Sequence, residues 1–194
     1  MTSIDKIKKL REITGVSIIE CKKALSKADG NIEKAQEILR TWGKNFAAKK
    51  IEEETRTGII ASYVHPNSKI GVLADIRCES DFVARGEDFK KLSHEICLQI
   101  AAMKPLYVKK EDIPEEFLAN ERKIYQEQFK DSGKPQKIMD EIIKGKLKKR
   151  QEEISLLSQP WVKEETKNIS DLIDEYIAKI GEKIEIKKFV RYEI

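Results

Sequence analysis

Apolar side chains along residues 3–42 recur at the three- and four-residue spacing that is typical of amphipathic helices. The segment Thr14-Gly15-Val16 interrupts the first apolar stripe, and Asp29-Gly30 interrupts the second. The pattern therefore predicts three short helices, with Gly43 as the glycine that ends the third. We expect this three-helix module to span residues 1–42.

The second predicted helix begins with a capping pattern. Ser17 precedes it and Glu20 follows three residues later, which matches a capping box. The apolar stripe of this helix predicts that the side chains of Ile18, Cys21 and Leu25 are buried. A core built from so few residues indicates that the module has only modest stability of its own.

The pattern of apolar and polar positions changes after the three-helix module. Residues 43–56 are mostly Lys, Glu, Ala and Thr without an apolar stripe, and we interpret them as a partly helical linker. Residues 58–64 and 70–78 are strand-like and enclose the turn cluster Pro66-Asn67-Ser68, which predicts a hairpin. A helix over 87–103 follows. Its apolar face consists of Phe89, Leu92, Ile96 and Ile100.

The second half of the chain is predicted to be mainly helical. Two helices cover 114–130 and 135–155, and the sequence Asp131-Ser132-Gly133-Lys134-Pro135 separates them. A further helix begins at the capping residue Ser170 and ends at Gly181.

The last residues, 184–194, alternate strictly, which predicts a strand with one buried face. That face comprises Ile184, Ile186, Lys188, Val190, Tyr192 and Ile194. The predicted fold class is therefore α+β. The helical module precedes a core over residues 57–194 that holds a small antiparallel sheet and several helices.

The composition narrows the class of protein. Of the 194 residues, 37% are charged and 40% hydrophobic, a balance typical of well-solvated helix faces around a modest core. The net charge of +4 is too small to argue for nucleic acid. No apolar run approaches the roughly 20 residues that span a bilayer, and residues 1–5 lack a secretory pattern. We expect a cytoplasmic protein without a membrane partner.

Residues for metal, cofactor or covalent chemistry are sparse. Cys21, Cys78 and Cys97 are widely spaced and form neither a metal pair nor a disulfide framework. The two histidines are His65 and His94. The sequence has no Gly-rich phosphate loop, no HExxH, no CxxC and no evident nucleophile–base pair. We therefore expect no metal, no cofactor and no enzymatic activity.

Residues 144–150 form the one dense basic run, which could contact phosphates. Glu152 and Glu153 follow it directly, so a solvated helix face is the favoured interpretation. An RNA-binding protein that uses the run near Lys148 stays open as an alternative function.

The best candidate for a binding element is the segment 78–85, which joins a predicted strand to a predicted helix. An aromatic Phe82 beside Asp81 at such a turn can enter a pocket in a partner. It can equally fold back into the core. The residues alone leave both alternatives open.

Eight short motifs follow one another along the chain, at residues 10–15, 21–25, 29–35, 62–65, 78–83, 132–135, 158–162 and 189–193. Taken in this order, they resemble the bacterial elongation factor Ts family. The resemblance covers nearly the whole chain, and the order of the motifs makes it specific although each motif is short.

This resemblance implies a guanine-nucleotide exchange factor for the translation GTPase elongation factor Tu, which binds the GDP form and loosens the nucleotide without bond chemistry of its own. It also implies that the helical module resembles a ubiquitin-associated (UBA) fold and docks on the GTPase domain. Arg11, Ile18 and Ile19 match the family's positions for that contact.

The resemblance assigns the remaining site residues as well. Ser80, Asp81, Phe82 and Val83 match the family signature, whose Asp-Phe pair pushes on the GTPase near its magnesium and phosphate sites. His65 matches a histidine with a secondary contact to the GTPase.

Three departures from the family pattern bear on function. Ser80 replaces the usual Thr but keeps the hydroxyl, and Val190 stands where some short members carry Cys, which excludes a disulfide there. The chain has one core subdomain where long members have two. We therefore expect a non-covalent twofold homodimer, with Phe189 as a candidate contact.

A UBA-like protein-binding module on a scaffold is the other alternative function. It would use residues 3–42. Against it, no aromatic residue follows Gly15 directly.

Overall fold

The computed structural model describes residues 3–130 and 135–194 of the chain, so most of the predicted break at 131–135 lies outside the described residues. Within these ranges, eight α-helices combine with five strands, which confirms the predicted α+β class. The helices are α1 (Ser3–Thr14), α2 (Ile18–Lys27), α3 (Ile32–Lys49), α4 (Asp81–Arg85), α5 (Glu87–Met103), α6 (Glu115–Phe129), α7 (Gln136–Ile154) and α8 (Ile169–Ile180). The strands are β1 (Thr57–Val64), β2 (Ile70–Cys78), β3 (Pro160–Trp161), β4 (Glu164–Asn168) and β5 (Glu185–Glu193).

The first three helices form the predicted module around a small core of their own. The predicted break is present, since Gly15 has a φ of +69° between α1 and α2. Ser17 caps α2 by accepting the backbone N–H of Glu20, whose carboxylate accepts the Ser17 hydroxyl rather than a backbone N–H. The buried core of the module consists of Leu10, Cys21, Ala24, Leu25, Ala28, Ala35 and Leu39.

The prediction that Ile18 is buried is wrong, because its side chain is 53% exposed. Cys21 and Leu25, on the same helix, are buried as predicted. Ile18 is the first residue of α2. A residue in the first turn can share the apolar stripe and still lie beyond the edge of the small core that the stripe covers.

The prediction that Gly43 ends α3 is also wrong. The helix continues through this residue to Lys49, and Gly43 is buried inside it. A Cβ atom at this position would lie 3.2 Å from the Cβ of Ala178 in α8. The glycine therefore serves a close approach of two helices, and a glycine in such a position gives the same sequence signal as a cap.

The hairpin is confirmed, with β1 and β2 as neighbours in a three-stranded sheet of order β1-β2-β5. The predicted buried face of β5 is correct only at its beginning. Ile184 and Ile186 are buried, whereas Val190, Tyr192 and Ile194 are 38%, 69% and 92% exposed. Alternation tells which side of a strand a residue points to, but it does not tell whether anything covers that side.

Most of the remaining elements follow the predictions. The four apolar residues predicted to lie on one face of α5 are all fully buried. The helix α8 begins at Ile169, one residue before the predicted cap Ser170, and it ends before Gly181 as predicted. The strand β4, which pairs antiparallel with β3, was not predicted. Its sequence Glu-Glu-Thr-Lys-Asn has no apolar alternation to indicate a strand.

The chain divides into two compact units. The first unit consists of Met1–Ala61, Ala74–Glu95 and Ser170–Lys187, and the second of Ser62–Leu73, Ile96–Ile169 and Lys188–Ile194. The boundaries expected from the sequence, at residues 42 and 56, stay a prediction. Over the ranges that the structure describes, no helix is both long and apolar enough to cross a membrane.

Candidate functional site

The segment singled out from the sequence lies directly after β2, in the first unit. Ser80 is the N-cap of the short helix α4, and its hydroxyl oxygen accepts the backbone N–H of Val83 at 3.3 Å. Its carbonyl oxygen accepts the backbone N–H of Ala84 at 3.1 Å and the Cys78 thiol at 3.2 Å. Asp81 and Phe82 are thus the first two residues of a capped helical turn.

Phe82 is 88% exposed, which excludes the alternative that its ring folds back into the core. On the same short helix Ala84 is buried, so the helix anchors itself through a small side chain and leaves the aromatic ring in solvent. Burial of a phenylalanine in a partner is worth about 1.5–3 kcal/mol. The exposed ring is therefore suited to bind a pocket in another molecule.

Asp81 is paired within the same helix. Its carboxylate lies 2.6 Å from the guanidinium of Arg85, and both side chains are mostly exposed. Pairs of this kind contribute little to stability because solvent screens them. A partner that offers a better cation or metal can therefore displace Arg85 at low cost in free energy.

Two carboxylates hold this turn, and one of them lies outside the segment singled out from the sequence. Glu182, which follows the end of α8, accepts the backbone N–H groups of Glu79 at 3.1 Å and Ser80 at 2.9 Å. It also accepts the Ser80 hydroxyl at 2.5 Å. No local pattern could have indicated this contact, because residues 102 positions apart make it.

Glu79 makes the reciprocal contact. Its carboxylate accepts the backbone N–H of Lys183 at 2.7 Å and forms an ion pair with Lys50 at 3.1 Å. Burial opposes ionisation of Glu79, but the Lys183 N–H and the Lys50 ammonium together outweigh burial, so its pKa lies below the usual value. In contrast, burial and then the nearby Glu182 charge raise the pKa of the Cys78 thiol to about 11, so this cysteine stays protonated.

The residues that the resemblance assigned to docking lie on the surface of the helical module, also in the first unit. Ile18 and Ile19 begin α2 and are 53% and 67% exposed. Arg11 is exposed in the last turn of α1. Two neighbouring exposed isoleucines offer a partner apolar area that the module does not use for its own core.

His65 lies in the second unit, at the turn between β1 and β2. It is half-buried, and its Nδ1 is 2.9 Å from the hydroxyl of Tyr63. The two rings meet edge to face with centroids 6.1 Å apart. Tyr63 therefore orients the imidazole, and Ser80, Asp81, Phe82 and Val83 belong to the other unit.

Part of the basic run on α7 is engaged within the protein. The ammonium of Lys146 lies over the rings of Tyr125 and Phe129, 5.6 and 5.2 Å from their centroids. Arg150 lies 3.9 Å from Glu121 and 3.8 Å from Glu153. These contacts engage Lys146 and Arg150, which weakens the case for a phosphate-binding surface. Among the described residues there is no cluster of His, Cys, Asp and Glu that could hold a metal ion.

Comparisons with known proteins match this chain over almost its full length. The model of the family "Elongation factor TS" matches residues 6–194. Elongation factor Ts of Thermosipho melanesiensis is 51% identical over 194 residues, which cover 100% of this chain and 99% of the relative. Elongation factor Ts of Thermotoga petrophila is 51% identical over 192 residues, which cover 99% of this chain and 96% of the relative. Elongation factor Ts of Moorella thermoacetica is 47% identical over 188 residues, which cover 97% of this chain and 93% of the relative.

Proposed function

The chain belongs to the elongation factor Ts family, a family of translation elongation factors, and we propose that it promotes the release of GDP from elongation factor Tu. The observation that carries the proposal is Phe82, an aromatic side chain that is 88% exposed on a turn held by hydrogen bonds. The factor acts by binding and by no bond chemistry, and it requires no cofactor or metal of its own. Its place of action is the cytoplasm, where translation occurs.

In the proposed mechanism, the Asp81-Phe82 turn enters the GTPase near its nucleotide and magnesium sites. Phe82 binds a pocket that is better formed when the nucleotide is loosened, so factor binding shifts the GTPase toward that state. By linkage, GDP must weaken the binding of the factor by the same ratio. Burial of one phenylalanine corresponds to about a tenfold to hundredfold shift, and other contacts supply the remainder.

The helical module supplies the affinity. We propose that Arg11, Ile18 and Ile19 dock on the GTPase domain, which the exposure of both isoleucines supports. His65 makes a secondary contact, for which the hydrogen bond with Tyr63 sets the ring orientation. In this proposal the two surfaces have separate tasks. The helical module binds the GTPase, and the Asp81-Phe82 turn promotes the release of GDP.

The proposal is tested by measuring the release of labelled GDP from purified elongation factor Tu. We expect Phe82→Ala to slow release by more than about tenfold while the melting temperature of the factor itself stays the same. Because the ring is exposed, its loss leaves no cavity. If the variant melted much lower but kept full exchange per folded molecule, Phe82 would be a structural residue and the proposal would be wrong.

We further propose a non-covalent twofold homodimer. Its candidate surface lies on neighbouring strands of the second unit and is apolar and exposed. The residues are Val64, Leu73, Val190 and Tyr192, which are 66%, 47%, 38% and 69% exposed. Phe189, the contact expected from the sequence, is half-buried, so Val190 and Tyr192 replace it as the central contacts.

Sedimentation from low to high micromolar concentration tests the dimer. We expect a reversible shift from monomer to dimer that Tyr192→Lys abolishes, because a charge replaces an exposed apolar contact. A monomer at every concentration, with full exchange activity, would disprove the dimer and leave the exchange function intact.

A further inference from the structure

We infer that Glu182 is a positioning residue for the Asp81-Phe82 turn, and that it sets the rate of nucleotide release rather than the affinity for the GTPase. The inference rests on the exchange function proposed above. It concerns a residue that contacts neither the nucleotide nor, in the proposed mechanism, the GTPase.

The carboxylate of Glu182 binds three donors just before the start of α4. An ionised carboxylate only accepts hydrogen bonds, and this one accepts three, from Glu79 N, Ser80 N and Ser80 Oγ. Because the Ser80 hydroxyl donates to Glu182, its lone pairs stay available to the Val83 N–H. The carboxylate therefore orients the very hydroxyl that caps α4.

The contact is doubled. Glu79 accepts the backbone N–H of Lys183, the residue after Glu182, so each of two chain segments gives a carboxylate to the backbone of the other. Lys183 also donates through its ammonium to the carbonyl oxygens of Ile51 and Glu53. We call this arrangement of Glu79 and Glu182 the carboxylate clamp.

The clamp matters because α4 is only five residues long. A helix of this length has no stability of its own in water, and the Asp81–Arg85 pair on its surface adds little. The contacts that fix the turn before the partner arrives are the Ser80 cap, the buried Ala84 and the clamp. Without the clamp, binding would have to order the turn, and that entropy would reduce the free energy available for loosening GDP.

This argument makes a kinetic prediction. The docking surface on the module is untouched by loss of the clamp, so the factor concentration that gives half-maximal release stays nearly constant. The release rate at saturating factor falls, because fewer bound complexes hold Phe82 in the productive orientation. A general loss of fold would lower the apparent concentration of factor instead, and would leave the saturating rate unchanged.

The test variant is Glu182→Gln, which keeps the shape and removes the charge. The matched control is Glu185→Gln, three residues away, whose carboxylate accepts Thr55 and Lys187 and does not contact the turn. In a GDP-release titration with purified elongation factor Tu, we expect Glu182→Gln to lower the saturating rate by about tenfold, as for loss of a charge-assisted hydrogen bond. Glu185→Gln should keep the saturating rate of the unmodified chain.

A double variant distinguishes positioning from other effects. If Glu182 acts only through Phe82, adding Glu182→Gln to Phe82→Ala should cause no further loss of rate. Additive losses would overturn the inference, and so would a single Glu182→Gln variant with an unchanged saturating rate. If the unmodified chain failed to accelerate GDP release at all, the proposed function would fail instead, so the two failures are distinct.

A second measurement covers the case in which Glu182→Gln lowers the stability of the whole protein. Amide hydrogen exchange at Glu79 and Ser80 should be faster in Glu182→Gln at a temperature where the protein is folded. Unchanged protection at both amides would contradict the clamp.

Discussion

The Asp81-Phe82 turn and the start of α2 both present apolar side chains to solvent, but different interactions hold them. Ile18 and Ile19 lie on a helix that local features explain, with Ser17 as its cap and Leu25 in its core. Phe82 lies on a five-residue helix whose N-cap, Ser80, is held by a carboxylate 102 positions further along the chain. The comparison shows that two exposed apolar side chains can depend on different contacts, one on residues close in sequence and the other on a residue far along the chain.

The difference bears on function. A surface that a helix presents on its own is suited to supply affinity, because it is already formed and tolerates changes elsewhere. A turn that depends on distant contacts is suited to a step whose rate depends on orientation. Variants of the module should therefore alter binding, and variants around the turn should alter the rate in the bound complex.

The largest effect that separates the two regions is expected from Ile18→Asp. A charge at this apolar position should weaken binding to elongation factor Tu by about tenfold to hundredfold, through faster dissociation. The GDP-release rate at saturating factor should stay near that of the unmodified chain. Stopped-flow binding and release titrations measure both quantities.

Ile4→Asp is the matched control, because Ile4 is also an exposed isoleucine of the module, at 65%. Ile4→Asp should leave both the binding to elongation factor Tu and the GDP-release rate at saturating factor nearly unchanged. A fall in the saturating rate of Ile18→Asp would show that the module takes part in the release step, and the division of tasks would be lost. A point variant is preferable to a truncation at residue 42, which would cut α3 in its middle.

A second prediction concerns the contact between α3 and α8. Gly43→Leu should lower the free energy of unfolding by about 1–3 kcal/mol, because the added side chain meets Ala178. Gly145→Leu on α7 is the control, since a Cβ there would meet no heavy atom within 4 Å. It should raise the stability by up to about 1 kcal/mol through helix propensity.

Thermal and denaturant unfolding of both glycine variants provide the measurement. Equal changes in the free energy of unfolding would mean that position 43 accepts a larger side chain as readily as an ordinary helical position does. The contact with α8 would then place no demand on its size, and the module and the segment that carries Glu182 would be less closely joined than the structure indicates.

The smallest expected effect is a pH dependence from Asp174 on α8. Burial, with the neighbouring Asp171 charge, raises the pKa of Asp174 to about 6, although Lys44 opposes the shift. A carboxyl group whose pKa is raised on folding stabilises the fold when protonated, so stability falls as the pH rises from about 4 to about 6. Asp174→Asn should remove this fall and raise the free energy of unfolding at pH 7 by about 1 kcal/mol, since partial exposure reduces the effect.

The pKa of Glu79 shifts in the opposite direction to that of Asp174. Its pKa is lowered on folding, so its contribution to stability is present above its unfolded pKa and is lost as the pH falls through the folded value. The two carboxyl groups therefore oppose each other in acid. Unfolding curves of Asp174→Asn and of the unmodified chain between pH 4 and 7 should diverge with rising pH; parallel curves would contradict the raised pKa of Asp174.

Much of the fold could be predicted from the sequence, because the signals for most of its elements are local. The apolar stripe of α5 and the turn cluster between β1 and β2 depend on neighbouring residues, and the structure confirms the helix and the hairpin. The β4 strand was missed because its residues are polar. Gly43 was misread because a glycine that permits helix contact and a glycine that ends a helix look the same along the chain.

The candidate site could be predicted only in part. The motif around Phe82 drew attention to the right segment, but whether the ring is exposed depends on where Ala84 is anchored and on what holds Ser80. Glu182 could not be found at all, because its partners lie 102 and 103 positions away. Contacts of this kind are a property of the fold rather than of any segment.

The carboxylate clamp also has a consequence for the synthesis of the protein. A ribosome adds about 5–20 residues per second, so roughly 5–20 s pass between the addition of Glu79 and that of Glu182. During that interval the helical module and the Phe82 segment exist without the residue that holds the turn. In the proposed division of tasks, a nascent chain that ends before Glu182 would carry the docking surface but would lack the clamp on the Phe82 turn. The separation of Glu79 and Glu182 along the chain therefore delays formation of the clamp until both of its segments have been synthesised.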